Sequence, residues 1–114
     1  MEKTTHRRSA ILIVDDRLSN IEALENVLDR EDRVMLRATS GSEALKTALN
    51  EDIDLIILDV QMPSMDGFEV AQILKTNSRT KDIPIIFASA ERKEHKFIMK
   101  GFEEGAIDYL HKPL

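Results

Sequence analysis

One stretch constrains the chain more than any other: Leu55-Ile56-Ile57-Leu58-Asp59-Val60-Gln61-Met62-Pro63-Ser64-Met65-Asp66-Gly67. Four apolar residues run directly into an aspartate and then into a turn that carries proline and glycine. An unbroken apolar run of this length suits a strand buried on both faces of a parallel sheet. Asp59 then stands where the strand leaves the core. In an open parallel α/β sheet that carboxyl end is where ligands bind. Taken alone, the aspartate is either a reactive or metal-binding group or the polar stop of a strand.

The same pattern recurs along the chain. Ala10-Ile11-Leu12-Ile13-Val14 is fully apolar and ends on Asp15-Asp16. Ile83-Pro84-Ile85-Ile86-Phe87-Ala88 ends on Ser89, with the proline near its start, where a missing N–H is tolerated. Ile107-Asp108-Tyr109-Leu110 is a short last strand that runs into His111-Lys112-Pro113. Arg33-Val34-Met35-Leu36-Arg37-Ala38 alternates instead, with two arginines on one face. That pattern reads as an edge strand whose charge discourages pairing with another molecule.

Helical spacing fills the intervals. Leu18, Ile21, Leu24 and Leu28 follow the first strand, with Ser19-x-x-Glu22 as a capping box. Ser40-x-x-Glu43 is a second box, opening a helix through Ala44, Leu45, Ala48 and Leu49. A third helix starts at Asp66-Gly67-Phe68-Glu69 and places Phe68, Ala71 and Leu74 on one side. Residues 77–82 read as a solvated loop. Residues 91–104 read as a charged helix held by Phe97, Ile98 and Phe102. Five strands alternating with four helices imply βαβ units, right-handed crossovers and helices on both faces.

Length and composition set the outer bounds. A chain of 114 residues makes one domain with a single core, here residues 10–114 behind a loose polar segment, residues 1–9. The 42% hydrophobic and 32% charged content is that of a soluble globular protein. No apolar run approaches the roughly 18–20 residues of a spanning helix, and no apolar stretch follows Arg7-Arg8 to make a secretory signal. Zero cysteines exclude disulfide and thiolate chemistry and fit a cytoplasmic address. A net charge of −5 and only five Phe and Tyr residues argue against nucleic-acid contact.

A parallel sheet gathers what its strands deliver at their carboxyl ends: Asp15 and Asp16, Asp59, Ser89 and Lys112. Three clustered carboxylates repel one another unless a cation lies among them. Mg2+ suits such a site, since it takes oxygen ligands and is held by one or two carboxylates plus phosphate oxygens. Lysine and a serine hydroxyl can hold phosphate oxygens. One carboxylate remains to act as nucleophile, and Asp59, between the first and fourth strands, is the candidate.

Val14-Asp15-Asp16, Leu58-Asp59-x-x-Met62-Pro63-x-Met65-Asp66-Gly67, Ala88-Ser89-Ala90 and Asp108-Tyr109-Leu110-x-Lys112-Pro113 together resemble the receiver domain of two-component response regulators, over residues 10–114. The resemblance implies a flavodoxin-like, doubly wound five-stranded parallel sheet of order 2-1-3-4-5. It implies that Asp59 accepts a phosphoryl group from a phosphohistidine on a histidine kinase or a histidine phosphotransfer protein. Mg2+ would be held by Asp16, Asp59 and the Gln61 backbone carbonyl, with Asp15 assisting. Ser89 and Lys112 would hold phosphoryl oxygens, Ser89 and Tyr109 would switch, and the Lys112–Pro113 peptide would be cis. Gln61 and Glu91 occupy positions that tune acyl-phosphate lifetime in the family. The chain is thus expected to be a regulatory domain that assists its own phosphoryl transfer and dephosphorylation.

Two other classes fit less well. A Mg2+-dependent aspartyl-phosphate phosphohydrolase on a related sheet usually has a second acid two residues past the nucleophile and a cap. Here that position is Gln61, and no insertion is long enough for a cap. Nucleotide binding needs a glycine-rich first loop, the opposite of Asp15-Asp16-Arg17-Leu18. The family also closes with a fifth helix, whereas this sequence ends at Leu114. The face of strands one and five is therefore expected to be bare and to support a homodimer. By the same reasoning the chain reads as part of a hybrid kinase or multidomain regulator.

Overall fold

The computed structural model describes residues 8–60, 62, 67–89 and 108–111. In chain order the elements are β1 (Ser9–Val14), α1 (Leu18–Leu28), β2 (Arg33–Ala38), α2 (Gly41–Asn50), β3 (Leu55–Asp59), α3 (Gly67–Thr76), β4 (Ile85–Ser89) and β5 (Asp108–His111). The strands form one sheet in the order β2-β1-β3-β4-β5, and every pair is parallel. The α/β fold and strand order anticipated from sequence are therefore present. The expected helix over 91–104 lies outside the described residues.

Burial on both sides explains the unbroken apolar runs. Leu12 and Val14 join Ile56, Leu58, Ile85 and Phe87 in one core, against Ala44 and Ala48 of α2 and Val70, Ala71 and Leu74 of α3. Ile11, Ile13 and Ile57 face the other way, into a second core with Ile21 and Leu24 of α1. Period-two side chains thus feed two cores from the same strands. Phe68 of α3 meets Phe87 of β4 edge-on, with ring centroids 4.9 Å apart. Such a pair adds about 0.5–1.5 kcal/mol beyond its buried area, and it fixes the start of α3 over the sheet.

Several local readings change. Ser9 is the first residue of β1, with its N–H bonded to the Asp32 carbonyl, so the strand begins one residue inside the segment expected to be loose. The Ser19 capping box does not form. Helix α1 starts at Leu18 with Arg17 at the N-cap and no side-chain cap, while Leu18 is 47% exposed. By contrast, Ser40 caps α2 by accepting the Glu43 N–H, and Glu43 reaches back to the Thr39 N–H. The face of β1 expected to be bare is covered: Ile11 and Ile13 are 5% and 0% exposed and pack against Ile21 and Leu24 of α1.

β2 is an edge strand, as its alternation suggests. Arg37 forms a bidentate pair with Glu25 of α1 (2.6 and 2.8 Å), and Arg33 donates to the Leu28 carbonyl. Both guanidiniums are drawn onto the α1 side, where they flank the strand without entering the core.

The segment expected to be a solvated loop contains a buried latch. Thr80 is 1% exposed and donates its hydroxyl to the Leu74 carbonyl at the end of α3 (2.6 Å). Lys75 donates to the Lys81 and Ile83 carbonyls (3.1 and 2.8 Å). These bonds fasten the 77–83 turn to α3 and so set where β4 begins. Replacing Thr80 with Val keeps the shape but removes the shorter of two bonds to the Leu74 carbonyl, which still accepts the Asn77 N–H at 3.4 Å. The expected loss is about 0.5–1.5 kcal/mol, read from urea unfolding. Burial lowers the Lys75 pKa below its ordinary 10.5, with Asp82 acting in the opposite direction. The folded chain therefore holds this proton less firmly than the unfolded chain, and stability contributed here rises with pH. The stability of wild type relative to Lys75→Met should rise as pH approaches 10.5 from below and level off above it.

Candidate functional site

The strand order reverses between β1 and β3: β1 leads by way of α1 to β2 on one side, while β3 lies on the other. Open α/β sheets place their ligand crevice at such a reversal, outside the carboxyl ends of the strands. Val14 pairs with Leu58, so the next residues, Asp15 and Asp59, leave adjacent strands at the same level. Both also follow the parity of Ile11, Ile13 and Ile57, which face the α1 side.

The result is a compact acid cluster. Asp15, Asp16 and Asp59 each offer a carboxylate oxygen, and these oxygens all lie within 4.8 Å of one another. Asp15 and Asp59 are buried, at 1% and 5% exposure, whereas Asp16 is exposed. Two acids thus form the floor and one the rim. An all-oxygen donor set with an open side suits a hard divalent cation that keeps part of its water shell.

Backbone bonds hold the floor in place. The Asp15 N–H donates to the Ala38 carbonyl, and the Val60 N–H to that of Ala88. Asp15 Oδ1 accepts the Arg17 N–H at 2.9 Å and the Asn20 amide at 3.3 Å. The Gly67 N–H donates to the Val60 carbonyl at 2.7 Å, which brings the first residue of α3 against the end of β3. A Cβ at Gly67 would collide with the Asp59 carbonyl oxygen and lie 2.9 Å from Val60 Cα. Only glycine allows that approach.

β4 ends at Ser89, next to Ala88, which pairs with Asp59, and Ser89 pairs with His111 at the end of β5. These backbones reach the same edge as the acids. Gln61, Asp66, Glu91, Lys112 and the Lys112–Pro113 peptide lie outside the described residues, as do the side chains of Ser89 and Tyr109. Met62 is a core residue at 8% exposure. Two residues went unassigned in the sequence: Asn20, which touches Asp15, and Gly67, whose constraint is a contact across the turn. An amide in the first turn after a strand-end acid is a signal that could have marked Asn20.

Two surface depressions among the described residues lie at the opposite edge. One of about 310 Å3 is lined by Ala48, Glu51, Asp52, Ile53, Arg79 and Ile83, and one of about 520 Å3 by Arg8, Asp29, Arg30, Glu31 and Arg33. Both sit where strands begin, away from the acids.

A doubly wound parallel sheet with three acids at its order reversal defines a class: α/β domains whose site is an acidic crevice. The response regulator receiver domain family matches residues 11–114, and the chain belongs to that family, the regulatory module of two-component systems. It is 40% identical over 104 residues to the response regulator PleD of Caulobacter vibrioides, covering 91% of this chain and 23% of that protein. It is 40% identical over 103 residues to the alkaline phosphatase synthesis transcriptional regulatory protein PhoP of Bacillus subtilis, covering 90% and 42%. The chain thus spans less than half the length of these relatives. Among solved structures, the chemotaxis protein CheY4 of Vibrio cholerae superposes with a TM-score of 0.87 at 32% identity, over 94% of this chain and 88% of that one. A putative response regulator of Chloroflexus aurantiacus gives 0.87 at 36%, over 95% and 88%. Among the described residues, no helix is long and apolar enough to cross a membrane.

Gly67→Ala is the sharpest test of the site's frame. The added methyl must displace backbone, and the expected cost is about 3 kcal/mol in chemical denaturation. An Ala variant as stable as the wild type would show that α3 does not press on Asp59.

Proposed function

We propose that this chain is a phosphorylation-operated switch in which Asp59 receives a phosphoryl group from a phosphohistidine of a histidine kinase or a histidine phosphotransfer protein. The observation that carries this reading is the meeting of three carboxylates at the strand-order reversal, two of them buried. Family membership agrees with it.

The donor set of Asp15, Asp16 and Asp59 fits Mg2+, with the Gln61 backbone carbonyl as a further oxygen. Bound there, the ion supplies positive charge that offsets the charge on the phosphoryl oxygens. The rest falls to the chain. An Asp59 carboxylate oxygen attacks phosphorus in line; a P–O bond forms, the P–N bond breaks, and the electron pair leaves with the imidazole. Burial keeps Asp59 from wandering, so the step needs positioning more than covalent machinery. Lys112 and Ser89 take phosphoryl oxygens, one by charge and one by hydroxyl donation.

The acyl phosphate adds negative charge and strong acceptor oxygens at one sheet edge. Ser89 is drawn toward them, and Tyr109 turns into the space this opens, which couples local charge to a surface around β4 and β5. Gln61 and Glu91 bear on how long the acyl phosphate survives.

Incubation with acetyl phosphate and Mg2+ should place about one alkali-labile phosphoryl per chain. Asp59→Ala should abolish the label while Asp66→Ala retains it, and chelation should prevent it. Label surviving in Asp59→Ala removes Asp59 from this role; many turnovers on phosphate esters would instead mean a hydrolase. Independently, Mg2+ at ten times its Kd should raise stability by about 1.4 kcal/mol, measured as a shift in Tm.

A further inference from the structure

Helix α1 begins beside the acid cluster without a side chain of its own capping it. The space where a cap would act is occupied from the other direction. Asp15 Oδ1 accepts the Arg17 backbone N–H (2.9 Å) and the side-chain amide of Asn20 (3.3 Å). Asn20 is itself fixed, since its N–H donates to the Arg17 carbonyl in the tight first turn (3.1 Å), and it is half-buried. Two donors from one rigid turn therefore converge on a single oxygen of a carboxylate that is 1% exposed.

Building on the cation reading of Asp15, Asp16 and Asp59, we propose that Asn20 is a positioning residue for that site. Its amide holds the Asp15 carboxylate at the angle from which a divalent cation can be shared with Asp16 and Asp59. The chemistry favours an amide here. It donates a directional hydrogen bond without carrying positive charge, whereas a lysine or arginine would compete with the ion for Asp15. It spans the turn, which a serine hydroxyl is too short to do. A carboxylate already oriented loses less freedom when it takes up an ion, and partners behind a ligand tune metal affinity in this way.

The test uses the 114-residue chain with Asn20→Leu, of similar size but without a donor. Mg2+ affinity is read by titration calorimetry, Tm in EDTA, and the rate of labelling by acetyl phosphate as a function of Mg2+. The expected result is a Mg2+ Kd raised roughly tenfold. Tm in EDTA should move by no more than about 2 °C, and labelling at saturating Mg2+ should return to within about twofold of wild type. A Kd within about twofold of wild type overturns the proposal, as does labelling that stays low at saturating Mg2+. If Asn20→Leu does not fold, Asn20→Ser keeps the helix start polar, lacks the reach to Asp15 and is judged by the same outcomes. Asp16→Asn in the same titration separates the two layers: wild-type Mg2+ binding in that variant defeats the cation site itself, whatever Asn20 does.

Discussion

The structure depends on one constraint: two adjacent parallel strands, β1 and β3, end level with each other, and both end on acid. Parallel register leaves no freedom in this. Once Ile11 to Val14 pair with Leu55 to Leu58, the side chains of Asp15 and Asp59 share one end of one face. Unit charges 4 Å apart repel by about 1 kcal/mol in water and about 4 kcal/mol at an effective dielectric of 20. The fold carries this unfavourable contact because the same strands bury Leu12, Ile13, Ile56 and Leu58 completely or nearly so. Each fully buried aliphatic side chain contributes about 1.5–3 kcal/mol, so the apolar core outweighs the strain at its edge. An acidic crevice held open by a rigid sheet is poised for a cation, because the charge is already assembled and needs only a counter-charge.

The neighbouring elements keep that crevice in shape from several sides. From one side, Gly67 lets the start of α3 touch the Asp59 carbonyl, and the Phe68–Phe87 pair pins that helix to β4. From the other, the start of α1 turns the Arg17 N–H and the Asn20 amide onto Asp15. Below, Lys75 and Thr80 fasten the α3–β4 turn, so that β4 enters the sheet at a set height and Ala88 arrives opposite Asp59. The acids are therefore held by backbone and by short polar side chains, with little dependence on long flexible ones. This is the arrangement expected of a site that must be formed before its ligand arrives.

Core and edge divide along the sheet. β1, β3 and β4 carry both cores, while β2 lies at one edge and β5 at the other. At the β2 edge, Arg37 is tied to Glu25 and Arg33 to the Leu28 carbonyl, so charge flanks the open strand. Surface pairs of this kind add little stability; their use is to make the edge a poor template for another chain.

Sequence alone determined the elements that depend on local pattern. Unbroken apolar runs identify strands buried on two faces, and acids at their ends identify the edge where Asp15, Asp16 and Asp59 cluster. Ser40-x-x-Glu43 marks the start of α2 because a cap needs only its own next three residues. The same rule misled at Ser19, where the helix starts at Leu18 because Asp15, three residues upstream, already bonds the Arg17 N–H. Leu18 fits helical periodicity yet is exposed, since periodicity cannot tell which turn of a helix overhangs the sheet. Thr80 looked like a loop residue because its partner, the Leu74 carbonyl, is a backbone atom that no composition reveals. Likewise, the role of Gly67 exists only once two backbones meet. At what height the strands end, and how closely α3 approaches the end of β3, were decided by tertiary packing, because these are distances between elements separated along the chain, and hydrophobic pattern carries no information about distance.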